Sequence, residues 1–459
     1  MQRFWPIAWP TIVLVGCSAA PLGLPREATG VVGQTLCSKV FLAGLAPEEV
    51  YREHLHDLPG MWLADWALRY AIDRARQEVG ASIAGGYASR SVYRAGRGCT
   101  LAYPGRPLPD PLVAGPHAPT LLAPIAGPGP VYPGDARLRN AIDAAFAEPA
   151  TGPRRATKAV VIVHEDRVIA ERYAPGYRLD TPLLSHSVAK SVVNSLVGIL
   201  TRQGKLQVSD PAPVAAWHGE RDPRGAITID HLLRMNAGFD FDEGVFPSPA
   251  AQAWYTDPDT ARVAEQAALK SPVGRSWAYS SLSYAVLSRI IGDTVGGGPQ
   301  GLHDFAQREL FDPLGMTTVT LEFDASGTMM GAQAMFATAR DWARFGLLYL
   351  HDGLVAGTRI LPEGWVDYST KPTVETGYGA GFWLNWTKAA IPEWGIPWGL
   401  PHAPSDAFMA RGYLGQYVVI VPSQSLVVVR FGLSHGRNAD ADSVGRLVRD
   451  VIDALAHSP

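Results

Sequence analysis

The segment Leu183–Ser191 reads LLSHSVAKS and brings three serines, a histidine and a lysine to the mouth of an apolar run. A serine hydroxyl becomes a nucleophile only when a base takes its proton, so the question is which hydroxyl has one within reach. Helical spacing selects Ser187, because Lys190 lies three residues on and its side chain leans back along the same face. A lysine held there out of water has its pKa lowered and can share a proton with the hydroxyl. The unpaired N–H groups of a first helical turn also favour negative charge at that point. Ser185 and His186 precede the helix and read as capping or loop residues, while Ser191 points away from the Ser187–Lys190 face. A bare Ser-x-x-Lys equally fits a capping serine and a surface lysine, so a second proton carrier is needed to decide.

The segment Pro272–Ser281, PVGRSWAYSS, supplies that carrier in Tyr279, 92 residues after Ser187. A phenol beside an ammonium can be held as phenolate, taking the serine proton and returning it to the leaving group. A tyrosine packed on the core is the plainer alternative. A rival nucleophile stands in Gly432–Gly436, GLSHG, which matches the Gly-x-Ser-x-Gly elbow of α/β-hydrolases between a strand and a helix. In that fold an acid and a histidine must follow Ser434. Only 23 residues remain, they form one helix, and His457 stands two from the end. Glu53-His54-Leu55-His56-Asp57 suggests a metal, but residues two apart on a helix do not share a face, so no metal is expected.

Ser187-Val188-Ala189-Lys190 followed by Tyr279-Ser280-Ser281 resembles the serine β-lactamase and penicillin-recognising superfamily, on its class C and esterase side. HLLRMNAGFDF (231–241), ATARDWARFGLLYL (337–350), RILPEGWV (359–366) and YGAGFWLN (378–385) fit the same group in the same order. Within it the chain is most similar to 6-aminohexanoate-dimer (nylon-oligomer) hydrolase-like proteins, whose N-terminal extension resembles residues 30–125. The resemblance implies acyl transfer without metal or cofactor. Ser187 attacks a small amide or ester, Lys190 and Tyr279 shuttle the proton, and water releases the acyl group. It also implies an oxyanion hole between the nucleophile's N–H and an edge strand. Met409–Val418 occupies the matching place, with the Tyr413 N–H, after Gly412, as the second donor. Two departures bear on substrate. Ser281 stands where β-lactamases carry Asn, and Ala410-Arg411-Gly412 stands for their Lys-Thr-Gly, leaving Arg411 to bind a carboxylate or face solvent. Both argue against efficient β-lactam turnover, so a β-lactamase or D-Ala-D-Ala peptidase is the alternative enzyme. A non-catalytic, envelope-anchored peptide binder is the alternative outside catalysis.

The elements that must position these residues follow from periodicity. From Ser187 the rows Val188, Val192, Leu196, Leu200 and Ala189, Val193, Val197 predict a helix buried on nearly all sides, ended by Gly204. Ala159–Tyr173 and Tyr417–Phe431 read as two hairpins, turning at Glu165-Asp166 and at Pro422–Ser425. Asp135 caps a helix with Leu138, Ile142 and Phe146 on one face, Thr338 caps another running to Leu350, and an amphipathic helix closes the chain. Tyr284–Ile291 starts a further helix after the Tyr279 loop. The implied architecture is α+β: helices packed on an antiparallel sheet with an all-helical insertion, over residues 135–459. Ahead of it, past the Pro/Gly-rich stretch 126–134, residues 30–125 form a small accessory region with helical patches at Pro47–Leu55 and Leu63–Val79.

Composition narrows the partners. The 459 residues are 47% hydrophobic and 18% charged with a net charge of −3, which fits a folded chain. They hold no basic stripe to follow a phosphate backbone, so nucleic acid is not expected. At the N-terminus Arg3 precedes a short apolar stretch, Phe4–Val15, and then Leu14-Val15-Gly16-Cys17. That pattern reads as a lipoprotein-type signal over residues 1–17 with Cys17 lipidated, placing the protein outside the cytoplasm on a bacterial membrane. An ordinary signal peptide with a chance cysteine, or a buried hydrophobic strand, is the alternative, and Pro6 and Pro10 inside the apolar stretch count against the lipoprotein reading. Export leaves Cys37 and Cys99 as an even pair, expected to form a disulfide.

Overall fold

The structure is a computed structural model, and it describes residues 23–241, 243–244, 248–386, 390–391, 396–435 and 440–457. The signal stretch and Cys17 lie outside the described residues. The chain opens with helix α1 (Gly23–Phe41), packed on a four-stranded antiparallel meander of β1 (Leu68–Asp73), β2 (Glu78–Ile83), β3 (Gly86–Arg94) and β4 (Gly98–Leu101). A disulfide joins Cys37 on α1 to Cys99 on β4, with Cα atoms 6.0 Å apart. Pro47–Leu55 is helical as expected. Leu63–Val79 is not one helix: a single turn, Met61–Ala64, gives way to β1 and the start of β2. Leu68, Tyr70 and Ile72 alternate with period two, and Arg74–Gln77 is a charged turn whose last residue has φ +55°.

After an extended connection come α2 (Ala136–Phe146), capped by Asp135, and the hairpin β5 (Thr157–His164) to β6 (Arg167–Tyr173). Its turn residues Glu165 and Asp166 both have positive φ, as a two-residue hairpin requires. Next follow α3 (Ala189–Arg202), the Tyr279 loop and α4 (Ser281–Val295), which begins three residues before the predicted Tyr284. Thr338 caps α5 (Ala339–Leu350). The remaining strands of the main sheet are β7 (Trp383–Leu384), β8 (Phe408–Gly412), β9 (Gln416–Val421) and β10 (Leu426–Gly432), before the closing helix α6 (Ala441–Leu455).

The main sheet has the order β7-β8-β9-β10-β5-β6, with every neighbour antiparallel. It joins the last hairpin to the first, which makes the sheet the closure of the chain. All residues of β9 and β10 are buried, so both faces are covered. On one, Gly346 of α5 brings the helix onto Val418 and Val427. α2 packs against α6 and against β5 and β6. The accessory region does not stand apart: Val32, Leu36 and Cys37 share one continuous core with Val161, Leu196 and Val428. Its buried seam is polar as well, where the Glu322 carboxylate accepts from Ser38 Oγ (2.7 Å), Gln34 Nε2 (3.3 Å) and the Cys99 N–H (2.8 Å).

Candidate active site

Ser187 sits in a 3-10 turn, His186–Val188, that leads directly into α3. The turn is held from both sides. The Ser185 N–H donates to the Met335 carbonyl (2.8 Å), and His186 adopts φ +45°, which swings the chain from strand to helix. Behind it α3 is buried from Ala189 to Leu200, including polar residues that periodicity would have placed outside. Ser191 Oγ donates to the Gly381 carbonyl (2.7 Å). Asn194 donates to the Ala380 carbonyl (2.7 Å) and accepts from Tyr349 Oη (2.6 Å) and Trp365 Nε1 (2.9 Å). With each polar group paired, the helix is a fixed platform.

Lys190 is 1% exposed and its ammonium meets three acceptors: Ser187 Oγ at 3.0 Å, Ser281 Oγ at 3.1 Å and the Ala332 carbonyl at 2.8 Å. Burial lowers its pKa from 10.5 to about 8, against the opposing pull of Glu243. Tyr279 shares a hydrogen bond with Ser187, and its ring lies 4.9 Å from Lys190 Nζ. Its phenol is pushed well above the usual value, by burial first and then by Glu243. That direction runs against the expected phenolate: in the free site Tyr279 is a neutral phenol, and Lys190 is the group close to giving up its proton. The structure therefore brings Ser187, Lys190, Tyr279 and Ser281 together.

Glu243 was not visible as a site residue from the sequence. Its carboxylate accepts from the Ser281 N–H (2.7 Å) and from Ser281 Oγ. Ser281 thus spends its proton on Glu243 and offers only a lone pair to Lys190. An aromatic wall was equally unforeseen. Trp383 stacks on Tyr279 (centroids 5.6 Å, 23° between planes), with Tyr378 and Trp277 edge-on around it. The clustering of Trp277, Tyr378, Trp383 and Trp398 in two short segments was the available signal.

On β8, a side chain at Gly412 would meet the Ser185 carbonyl at 2.4 Å and the Ser187 nitrogen at 3.1 Å, so only glycine lets the strand end approach the nucleophile turn. Tyr413 follows it, with its ring edge-on to His186 (5.6 Å) and its carbonyl held by Gln416 Nε2 (2.9 Å). Arg411 neither faces solvent nor forks onto a carboxylate. Its guanidinium lies between the rings of Trp383 (5.7 Å) and Tyr417 (5.4 Å), 3.8 Å from Asp440. His186 is neutral, because burial, then Lys39 and Lys190, push its pKa down to about 3. The rival Ser434 is buried and donates to the Arg155 carbonyl (3.0 Å), while His457 Nδ1 meets the Asp453 carbonyl, so among the described residues no triad forms there. His54 and His56 diverge as expected: the first is buried and the second exposed against Asp57.

This geometry can be set beside known proteins. The family profile described as Beta-lactamase matches residues 142–452. The chain belongs to the β-lactamase family. It is 28% identical over 229 residues to the 6-aminohexanoate-dimer hydrolase of Paenarthrobacter ureafaciens, an overlap of 46% of this chain and 56% of that one. Among solved structures it resembles a Bacillus anthracis protein described as a candidate 6-aminohexanoate-dimer hydrolase (TM-score 0.57, 20% identity). That match covers 73% of this chain and 89% of the other. A class C β-lactamase superposes with a TM-score of 0.51 at 11% identity, over 72% of this chain and 100% of the other. These structural likenesses carry the fold, the serine β-lactamase and penicillin-binding-protein fold predicted from the motifs. A β-lactamase-like hydrolase is what the family match supports.

Proposed function

We propose that this β-lactamase-family member is a serine hydrolase that cleaves small amides or esters through an acyl-enzyme on Ser187. The observation that carries the reading is the buried Lys190 ammonium, 3.0 Å from Ser187 Oγ. Two of its three hydrogen-bonding directions point at acceptors with no proton to return: the Ala332 carbonyl, and a Ser281 hydroxyl committed to Glu243. When Lys190 is neutral, its lone pair is left facing Ser187. Lys190 then takes the hydroxyl proton as Ser187 attacks the carbonyl carbon. The N–H groups of Ser187 and Tyr413 receive the oxyanion, a contribution of ~3 kcal/mol per donor in such sites. Tyr279, hydrogen-bonded to Ser187, hands a proton to the departing amine or alkoxide, and water completes hydrolysis.

The buried aromatic cluster of Trp277, Tyr378 and Trp383 fixes the Tyr279 ring beside Ser187. Ser281 in place of an amide side chain, and Arg411 engaged with aromatic rings and Asp440, favour esters and short amides over β-lactams. The Cys37–Cys99 disulfide supports an oxidising compartment and so export, while the lipid anchor at Cys17 rests on the Leu14–Cys17 pattern alone. Hydrolysis rates for short esters, linear ω-amino-acid dimers, D-Ala-D-Ala peptides and a chromogenic cephalosporin test the reading. Turnover of the first two, lost in Ser187→Ala, is expected. Preference for the cephalosporin or the D-Ala-D-Ala peptide would transfer the assignment to the alternative enzymes.

A further inference from the structure

Behind the nucleophile turn, where the accessory region meets the main sheet, lies a cavity of about 20 Å³ walled by Lys39, His54, Lys158 and His186 with Leu45 and Leu184. Its polar lining consists of two ammonium groups, Lys39 and Lys158, the imidazoles of His54 and His186, the Tyr177 hydroxyl and the Gln416 amide. Lys39 is 6% exposed, and its ammonium has no hydrogen bond and no ion pair among the described residues. The two carboxylates that act on it are already engaged. Glu53 is bound to Lys158 Nζ at 2.7 Å, and Glu322 to Ser38, Gln34 and the Cys99 N–H. His54 is also 6% exposed, and neither of its ring nitrogens finds a partner in the protein. His435, the other titratable group facing it, is held by the Glu53 carbonyl at 2.8 Å.

A buried ammonium and a buried imidazole without partners are each costly, and native interiors seldom leave them so. Volume decides what can serve them: a site for one water needs about 10–15 Å³ on this measure, so a carboxylate or phosphate is too large. We propose that this cavity is a binding site for a single halide ion, chloride in ordinary buffers, held by Lys39 Nζ. Burial without a matched counter-charge, which lowers the Lys39 pKa to about 7, agrees with that geometry. His186 is both a wall of the cavity and the residue before Ser187, so the ion sits directly behind the turn that carries the nucleophile.

The test uses the full chain. Melting temperature is followed as sodium bromide or chloride replaces sodium gluconate at constant ionic strength, for wild type and Lys39→Met, alongside anomalous diffraction from bromide-grown crystals. Wild type should show a saturable rise of ~3 °C with either halide. Lys39→Met, which removes a charge without removing bulk, should fold and show none, and a bromide peak should lie beside Lys39 Nζ. Density there without an anomalous signal, meaning water alone, would overturn the site. So would a halide response that persists in Lys39→Met.

Discussion

Lys190 gives its three protons to three oxygens, and its burial, opposed by Glu243, sets the pH dependence of the proposed chemistry. With a pKa of about 8, neutral Lys190 becomes more abundant as pH rises, so kcat/KM should climb tenfold per pH unit below that value and level off above it. Glu243 holds the lysine's pKa up, so Glu243→Gln should move the inflection to lower pH while lowering the plateau, since Ser281 is then free to reorient. A pH–rate profile of both proteins on one ester checks this; an unmoved inflection would remove Glu243 from the relay. The Ser187–Lys190 pair was legible because three-residue helical spacing is a geometric fact of the sequence. Glu243 was not, because 38 residues and a loop separate it from Ser281, and nothing local ties the two together. The neutral phenol of Tyr279 was hidden for a similar reason: its burial, and after that the Glu243 carboxylate, come from segments distant in sequence.

At the scale of elements, the approach of β8 to the turn before α3 depends on a missing side chain. Gly412→Ala should force the strand end away from Ser185 and Ser187 and cost ~10² in kcat with a smaller change in KM, as loss of an oxyanion donor does. Steady-state kinetics on a short ester would show it. The Cys37–Cys99 bridge closes a loop across α1 and the meander, and converting both cysteines to alanine should reduce stability by ~4 kcal/mol, read as a lower urea midpoint with a steeper slope, since the unfolded chain loses its cross-link. Both hairpins of the main sheet were legible from alternation and turn residues. The β1–β2 hairpin was not, because its charged turn Arg74–Gln77 continues a helix-like spacing of apolar residues, and only pairing across the turn settles it. α1 escaped notice because the meander and neighbouring helices bury it on most sides, so even its polar residues Glu27, Gln34 and Ser38 face the interior and no solvent-facing stripe marks it.

For the whole molecule, the accessory region is bound into the same core as the hydrolase fold, with Glu322 buried against Gln34, Ser38 and Cys99. A chain lacking residues 23–125 would expose that carboxylate's surroundings and the apolar seam around Val32 and Leu36. It should therefore fail to accumulate as a soluble monodisperse protein on size-exclusion chromatography. A truncated chain that melts like the intact one would make the region a separable module. The family and the order of its motifs were readable along the chain, whereas this fusion of two regions was not, since it consists of contacts between segments hundreds of residues apart. The central claim remains the nucleophile. Intact-mass analysis after treatment with a fluorophosphonate should show one adduct on wild type and on Ser434→Ala, and none on Ser187→Ala. Labelling that survives Ser187→Ala, or disappears in Ser434→Ala, would contradict it.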